Sequence, residues 1–453
     1  MTQPIFTRPL RKPMEGEKVY SLSEAELAEI LKIRNRGVTC SSIELEPGMG
    51  GVNPKTIRQW LSEGALLTSV DFMLTKACNF RCVYCFAEAG LSAEKLSYKA
   101  LERTIEEAAD LGVRAFVLTG GEPLLYRDGD YGFFDVVEKI QGVYQTKGAL
   151  VGIAIFSDVA LMTPEIAKRL YDSRIALCLK RDSLDAEIQD ALIGVPGGMA
   201  KMERGYENLF KAGYGEKNSP PISVNSVFNR QTLHGMIRLH RWVRSRHMEH
   251  SMVPVHYCGN AEEEDQEEGI NAVHVKVLYE LIAEIDAKEF GDPWHPYSAF
   301  PKNKTCNRNI SGVHIRSNGL VTACSESPAI DDYIFGNIYA TTLAEMAKSW
   351  KMRDYRVEFT TGEGEYICNP RVCDLNANDL CRGGCATRSA YSRIDPKTGL
   401  IIRNTNPRNY SQRREDPLCP GWVILAKQQG VLRPGIEEEI RQELLETAKG
   451  SMS

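Results

Sequence analysis

Short apolar runs that are typical of β-strands alternate with helical patterns between residues 70 and 256. The predicted strands cover 70–75, 113–118, 150–156, 174–179, 222–227 and 252–256. Helical patterns cover 99–111, 133–140, 164–171, 199–212 and 233–244. Because strand–helix–strand connections place consecutive strands in parallel, this alternation predicts an α/β chain with a parallel sheet. Six such units are fewer than the eight of a closed barrel, so we predict an open, partial (β/α)6 TIM-like barrel.

The remainder of the chain divides into segments of different character. Residues 1–67 are predicted to form an N-terminal leader with a helix over 21–34. The barrel region covers 68–300 and includes a solvated acidic run at 262–268 and a helix over 272–287. Residues 301–425 carry short strands, turns and cysteines, and residues 426–453 carry an amphipathic helix over 434–447.

The overall composition excludes several classes of protein. Apolar residues make up 43% and charged residues 25% of the 453 residues, as in ordinary globular proteins with a core. The net charge of -5 gives no electrostatic reason to bind nucleic acid or an anionic membrane. No apolar run is long enough to span a bilayer, and the N-terminus lacks the apolar core of a secretion signal. We therefore expect a cytoplasmic protein that binds neither nucleic acid nor membrane.

The thirteen cysteines are unevenly distributed, which is informative in a chain that we expect to be cytoplasmic. Three lie within eight residues, at Cys78, Cys82 and Cys85. Seven more lie in the last third: Cys306, Cys324, Cys368, Cys373, Cys381, Cys385 and Cys419. Cys40, Cys178 and Cys258 stand apart from both groups. Because disulfides are rare in the cytoplasm, such groups indicate metal binding or catalysis.

The first group has the spacing C-x3-C-x2-C and directly follows a predicted strand. Three thiolates in one loop can bind three irons of a [4Fe–4S] cluster and leave the fourth iron open. S-adenosylmethionine can chelate an open iron through its amino and carboxylate groups. A zinc site would need a fourth ligand. A ferredoxin would have a cysteine where this chain has Glu88.

This loop resembles the signature of the radical S-adenosylmethionine (radical SAM) enzymes. The segment Thr119-Gly120-Gly121-Glu122-Pro123 follows the next strand, as the GGEP motif does in that family. The resemblance implies that Gly120, Gly121 and Glu122 lie at the amino group of the methionine. It also implies that Tyr84 lies beside the adenine, although a core aromatic residue is the alternative.

Two positions depart from the pattern of this family. Asp158 stands in the segment after the third strand where many relatives have Thr-Asn-Gly-Thr, and it can accept hydrogen bonds from ribose hydroxyls. Lys180 replaces the serine that relatives often have after the fourth strand. Its ammonium group is expected either to pair with the methionine carboxylate or to extend from the strand end to solvent.

The C-terminal cysteines resemble those of a SPASM domain, the auxiliary-cluster extension of many radical SAM enzymes. Cys306 and Cys324 flank a predicted hairpin, 313–316 and 320–323, with an Asn318-Gly319 turn. The resemblance implies one cluster held by Cys306, Cys324 and Cys385. It implies a second, complete cluster held by Cys368, Cys373, Cys381 and Cys419. Structural zinc in place of the second set, or a disulfide scaffold, is the alternative reading.

The number of motif cysteines agrees with three [4Fe–4S] clusters, one that binds S-adenosylmethionine and two that are auxiliary. Three cubes have twelve iron positions, of which S-adenosylmethionine fills one, whereas the motifs supply ten cysteines. One auxiliary cluster is therefore expected to have an open iron or a ligand other than cysteine.

The resemblance implies reductive cleavage of S-adenosylmethionine to a 5′-deoxyadenosyl radical, which abstracts hydrogen from a substrate C–H. A reduced flavodoxin- or ferredoxin-type protein would donate the electron. Cys258, beyond the sixth strand, is a candidate hydrogen donor or a small buried residue. Glu326, two residues after Cys324, is a candidate general base or a solvated loop residue.

Three functions remain open from the sequence. The first is oxidative modification of a peptide or protein by a maturase. The second is a dehydrogenase, dehydratase or epimerase that acts on a sugar, cyclitol or other metabolite. The third is an iron–sulfur electron carrier, against which the GGEP motif and the three-cysteine loop both argue.

Overall fold

The computed structural model describes residues 4–19, 21, 23–25, 66–263, 270–291, 312–358, 368, 371–374, 385–403 and 415–448. Three predictions lie mostly or wholly outside these residues: the helix over 21–34, the acidic run at 262–268, and the placement of Cys40, Cys306 and Cys381. No helix among the described residues is long and apolar enough to cross a bilayer.

Nine strands form one sheet, and four short strands form two separate ribbons within the described ranges. The strands are β1 (Ser69–Met73), β2 (Ala115–Thr119), β3 (Arg127–Asp128), β4 (Tyr131–Gly132), β5 (Gly152–Ser157), β6 (Ala176–Lys180), β7 (Ile222–Phe228), β8 (Glu249–Pro254), β9 (Gly312–Ile315), β10 (Leu320–Thr322), β11 (Ile334–Asn337), β12 (Ser392–Ile394) and β13 (Ile401–Arg403). The order in the sheet is β11-β10-β9-β1-β2-β5-β6-β7-β8. All six predicted strands are confirmed, each displaced by a few residues at most.

The seven strands from β9 to β8 pair in parallel, as the strand–helix alternation predicts. The seventh was not expected in this sheet: β9 belongs to the cysteine-rich region but pairs in parallel with β1, with Asp71 opposite His314. The predicted hairpin is confirmed, since β9 and β10 are antiparallel and Gly319 in their turn has φ +83°. The sheet of the barrel therefore continues into the C-terminal region.

Helices cover the outer face of the sheet and form the C-terminal end of the chain. They are α1 (Tyr98–Asp110), α2 (Phe133–Thr146), α3 (Pro164–Asp172), α4 (Ala186–Ile193), α5 (Gly198–Lys211), α6 (Arg230–Leu233), α7 (Met236–Arg244), α8 (Ala272–Ile285), α9 (Leu343–Lys348), α10 (Trp350–Glu358), α11 (Ala386–Tyr391), α12 (Gly421–Gln428) and α13 (Ile436–Ala448). Every predicted helix within the described ranges is confirmed, and α4, α6, α9, α10, α11 and α12 are additional.

Strand pleating divides the side chains of the sheet between two faces. Phe72 and Phe116, on β1 and β2, stack at 6.0 Å on the helix side, where Phe116 also contacts Tyr144 of α2. Asp71 and Val117 alternate with these residues and therefore face the interior of the curved sheet. The helix-side face forms the core against the helices, and the other face, which includes Asp71, lines the barrel.

Helix α5 passes unusually close to the loop that follows β5. A Cβ atom added at Gly205 would overlap the carbonyl oxygen of Val159, whose own backbone has φ +68°. Only glycine allows this approach, because the obstructing atom belongs to the backbone and cannot move independently. The contact therefore holds the loop that carries Asp158 against the helix layer.

We expect Gly205→Ala to lower the free energy of unfolding by about 1–3 kcal/mol, because the added methyl group must displace backbone. Gly142→Ala is the matched control, since Gly142 lies within α2 and nothing lies within 4 Å of its Cβ position. The control should gain up to about 1 kcal/mol from helix propensity. Chemical denaturation of both variants measures the difference, and equal stabilities would contradict the close approach.

Candidate functional site

The cysteine loop follows β1 and lies on the end of α4. Backbone N–H groups of Arg81 and Val83 donate to the carbonyl groups of Ile193 and Leu192 at 2.8 and 3.0 Å. Gly194, with φ +65°, ends α4 and packs against the backbone of Arg81. The loop is therefore held by backbone contacts, and these leave its sulfur atoms available to a ligand.

The three thiols of this loop are suited to bind an iron–sulfur cluster. Backbone amides lie 3.4 Å from Sγ of Cys78 and 3.5 Å from Sγ of Cys85, as hydrogen-bond donors to ligated sulfurs would. Burial and the neighbouring Asp158 carboxylate raise the pKa of Cys78 to about 12, so a bound metal must displace the proton. Among the described residues no three such side chains converge on one metal ion, whereas the thiolates of a cube each bind a different iron.

The turn after β2 packs directly on this loop. Gly121 and Glu122 donate their backbone N–H groups to the carbonyl groups of Thr75 and Ala77 at 2.7 and 2.8 Å. A Cβ at Gly120 would lie 2.7 Å from the Thr75 oxygen, and one at Gly121 would overlap Ala77. Both glycines are therefore required for contact between the two loops.

Glu122 is completely buried and organises the neighbouring loop after β5. Its carboxylate accepts hydrogen bonds from the backbone N–H of Leu124, the hydroxyl of Ser157 and the backbone N–H of Asp158, at 3.1, 3.0 and 2.9 Å. Burial and the nearby Asp158 carboxylate raise the pKa of Glu122 well above its usual value. Two acidic side chains thus share a desolvated region beside the cysteine loop.

Two acceptor atoms in this region lack a hydrogen-bond partner among the described residues: Oδ2 of Asp158 and Oδ1 of Asn79. The other oxygen of Asp158 accepts from the backbone N–H of Ala160 at 3.0 Å. A buried acceptor without a partner is unfavourable, so a ligand with hydroxyl donors would stabilise it. This donor requirement fits the ribose of S-adenosylmethionine.

Lys180, Asp182 and Tyr84 form one polar cluster at the end of β6. The Lys180 ammonium group lies 2.9 Å from Asp182 Oδ1 and 4.5 Å from the centre of the Tyr84 ring. The Tyr84 hydroxyl donates to Asp182, and burial and this carboxylate raise the pKa of Tyr84. The Lys180 side chain is 18% exposed, and its ammonium group pairs with Asp182.

The segment after β8 contacts the cysteine loop from the other side. Asn260 donates its side-chain amide to the carbonyl of Cys82 at 2.9 Å and its backbone N–H to that of Cys85 at 3.1 Å. Gly259, with φ +58°, lies against Cys85 so closely that a Cβ would overlap its carbonyl oxygen. Cys258 directly precedes this contact and is buried, at 3% exposure.

Glu326 pairs with a histidine that the sequence prediction did not include. Its Oε2 lies 2.8 Å from Nδ1 of His256, two residues beyond the end of β8. Glu326 itself lies in the loop after β10, two residues from Cys324. The pair therefore joins segments that follow strands far apart in the sheet.

A buried ion pair organises the C-terminal cysteines. Asp416 binds Arg388 through two hydrogen bonds, one of them 2.7 Å long, and accepts the backbone N–H of Cys385 at 2.9 Å. The backbone N–H of Cys419 donates to the carbonyl of Asp416 at 3.0 Å. Burial raises the pKa of Cys385 to about 12, and the nearby Asp416 and Cys324 contribute. Cys324, Cys385 and Cys419 are therefore held in one region.

Sequence reasoning missed Asp182, His256, Asn79 and the Arg388–Asp416 pair. Asn79 and Asp182 lie within motifs that the sequence displays, but their partners come from other strands. Cys178 is buried within β6, at 7% exposure. Cys368 and Cys373 are also buried, whereas their predicted partner Cys381 lies outside the described residues.

Comparison with known proteins finds several enzymes that are similar to part of this chain. The chain is 28% identical to an AdoMet-dependent heme synthase of Methanosarcina barkeri over 36% of its own length and 43% of that protein. It is 27% identical to a PqqA peptide cyclase of Rhizobium meliloti over 69% of its own length and 80% of that protein. The chain spans about half the length of the first curated relatives that it matches.

Solved structures share the fold over most of the chain. Native anSMEcpe with bound AdoMet superposes with a TM-score of 0.58 at 16% identity, covering 84% of this chain and 99% of that one. Streptococcus suis SuiB bound to precursor peptide SuiA superposes with a TM-score of 0.56 at 14% identity, covering 78% and 80%. At these identities the likeness establishes the fold alone.

Family models identify the two regions directly. Residues 72–242 match the Radical SAM superfamily, and residues 306–385 match SPASM, an iron–sulfur cluster-binding domain. These matches contain the cysteine loop, the GGEP turn and the hairpin described above. The chain therefore contains a radical SAM domain followed by a SPASM domain.

Proposed function

We propose that this radical SAM enzyme oxidatively modifies a peptide or protein. The observation that carries the proposal is the similarity to a PqqA peptide cyclase, which extends over 325 residues and 69% of this chain. The structure of SuiB with its precursor peptide, which has the same fold, supports a peptide as the partner. The alternative is a reaction on a small molecule, and the substrate test below distinguishes the two.

The cofactors of this family are S-adenosylmethionine and iron–sulfur clusters. When bound, they supply a 5′-deoxyadenosyl radical that removes a hydrogen atom from carbon. We assign the first cluster to Cys78, Cys82 and Cys85 because they lie in one loop that is held by its backbone and carries two N–H donors to sulfur. A flavodoxin- or ferredoxin-type protein is the proposed electron donor.

We assign the two auxiliary clusters to the C-terminal cysteines, with Cys306, Cys324 and Cys385 on one cluster. Cys368, Cys373, Cys381 and Cys419 are the proposed ligands of the other. The proximity of Cys324 to Cys385 supports the first assignment. The corresponding domain boundaries, 68–300 and 301–425, are part of the same proposal, although β9 joins the two regions in one sheet.

The chain's own residues bind S-adenosylmethionine in this proposal. Asp158 accepts hydrogen bonds from the ribose through its unpartnered oxygen, and Tyr84 lies beside the adenine. Gly120 and Gly121 hold the turn close to the cysteine loop, and Glu122 positions the loop of Asp158 as well as facing the amino group. Lys180 neutralises Asp182 and is available to the methionine carboxylate.

The substrate is proposed to bind inside the curved sheet, between the cysteine loop and the segment of Cys324. Cys258 and Glu326 both belong to segments that border this space, as hydrogen donor and general base respectively. The contact of the Cys258 segment with Cys85 supports this position. A hydrogen donor is needed only for epimerisation, so in an oxidative reaction Cys258→Ala should still form both 5′-deoxyadenosine and product. Loss of an epimeric product with 5′-deoxyadenosine retained would instead assign the donor role to Cys258.

Anaerobic incubation with deuterated candidate substrates tests the function. We expect deuterium in 5′-deoxyadenosine, detected by mass spectrometry, with a pool of deuterated peptides and none with deuterated sugars and cyclitols. Deuterium transfer from the sugars or cyclitols and none from the peptides would show that the substrate is a metabolite. Formation of no 5′-deoxyadenosine by the reduced protein would contradict the enzymatic function.

Iron analysis tests the ligand assignments. Three cubes of four irons predict about twelve irons per reconstituted chain. The triple variant Cys78→Ala/Cys82→Ala/Cys85→Ala should retain about eight and lose S-adenosylmethionine cleavage, since only the first cluster is removed. Cys178→Ala, which changes a buried cysteine outside the motifs, should retain the wild-type iron content. A wild-type content near four would eliminate the auxiliary clusters.

The desolvation of the Asp158 carboxyl can be tested through the pH dependence of protein stability. Burial raises its pKa from 3.8 to about 6, so the folded chain binds a proton more readily than the unfolded chain. Stability therefore falls as the pH rises through the window between these values. Between pH 5 and pH 7, we expect the wild type to lose about 1 kcal/mol more of its free energy of unfolding than Asp158→Asn loses. Urea denaturation of cluster-free protein measures this difference.

The matched control is Asp172→Asn, because the Asp172 side chain is 57% exposed. This variant should keep the pH dependence of the wild type. If Asp158→Asn also keeps it, the desolvation of Asp158 is contradicted.

A further inference from the structure

We propose that His256 is the proton-accepting residue of this site and that Glu326 is its positioning residue. The inference rests on the proposed function and narrows its substrate to a molecule that carries a proton on oxygen, sulfur or nitrogen at the reacting group. It changes the role expected of Glu326, which would orient the base instead of being the base.

The geometry of the pair determines which nitrogen carries the proton. Nδ1 of His256 lies 2.8 Å from Oε2 of Glu326. A carboxylate oxygen accepts hydrogen bonds, so Nδ1 of His256 is the donor to Glu326. In this tautomer, Nε2 carries the lone pair. The same carboxylate–imidazole arrangement orients the general base in serine hydrolases.

The accepting nitrogen is buried and has no hydrogen-bond partner within the part of the chain that the structure describes. The His256 side chain is 11% exposed, and that of Glu326 is 29% exposed. A buried nitrogen lone pair without a donor loses the hydrogen bond it would make with water. A substrate group that carries a heteroatom-bound proton would supply that donor.

The position of the pair agrees with a role at the reacting group. Backbone contacts tie the Gly259–Asn260 segment, just after His256, to the cysteine loop through Cys82 and Cys85. On the other side, Glu326 lies two residues from Cys324. His256 is thus placed between the segments assigned to the first cluster and to an auxiliary cluster.

The proposed step transfers one proton. The bond between hydrogen and the substrate heteroatom breaks, its electron pair stays on the heteroatom, and a new N–H bond forms at Nε2. His256 becomes an imidazolium, and the adjacent Glu326 carboxylate balances its charge. No oxidant or reductant is consumed in this step.

Nitrogen NMR of the protein labelled with ¹⁵N-histidine tests the tautomer without any turnover. The chain has eight histidines, and the spectrum of His256→Asn assigns the signal of His256 by its loss. We expect a protonated Nδ1 and an unprotonated Nε2 in the wild type, and a shift toward protonated Nε2 in Glu326→Ala. A wild-type Nε2–H signal would overturn the proposal.

Turnover then tests the base itself, with the deuterated peptide pool as the substrate probe. We expect His256→Ala to lower product formation by about 10²-fold or more, as for other general bases. Added imidazole should restore part of this loss, which it cannot do for a merely structural defect. His247→Asn, at an exposed histidine, is the control and should match the wild type.

The outcomes separate this inference from the proposed function. Product formation by His256→Ala at the wild-type rate would overturn the role of His256 while leaving the function intact. Loss of activity that imidazole does not restore, together with an unchanged tautomer in Glu326→Ala, would also overturn it. If the wild type acts only on the metabolite pool, the function fails, whereas the NMR result still decides the state of His256.

Discussion

Backbone packing between the GGEP turn and the cysteine loop brings together the two loops on which the rest of the site is built. Two hydrogen bonds and two glycines bring the end of β2 against the residues that follow β1. The two loops pack closely because Gly120 and Gly121 have no side chains, and main-chain atoms of Thr75 and Ala77 occupy that space. This packing holds the start of the cysteine loop, at Thr75 and Ala77, while the end of α4 holds the loop at Arg81 and Val83.

Buried charge is the second organising feature, and it is arranged in pairs that compensate each other. Lys180 neutralises Asp182, and Arg388 neutralises Asp416. Glu122 and Asp158 are the exception: desolvation raises the pKa of both, and one oxygen of Asp158 lacks a partner among the described residues. The buried Asp158 carboxyl thus lowers the stability of the unliganded fold, and a ligand that donates hydroxyl groups to it would restore this stability. Such local destabilisation is common in functional sites.

Much of the barrel could be predicted because its signals are local. Alternating apolar strands and amphipathic helices depend on neighbours in sequence, and all six predicted strands are present. The Asn318-Gly319 turn specified its hairpin for the same reason. The pairing of β9 with β1 could not be predicted, because it joins residues that are more than two hundred positions apart and no local pattern specifies the partner of either strand.

The sequence by itself determined the chemistry that the chain can support: a three-cysteine loop, a GGEP turn and a second set of cysteines, whose spacing is a property of the chain. Only the tertiary structure decided which side chains from different strands meet. His256 and Glu326 follow β8 and β10, toward opposite sides of an open sheet, and they approach to 2.8 Å because the sheet curves. Curvature accumulates from the twist of every strand pair, and so no local pattern in the sequence reports it.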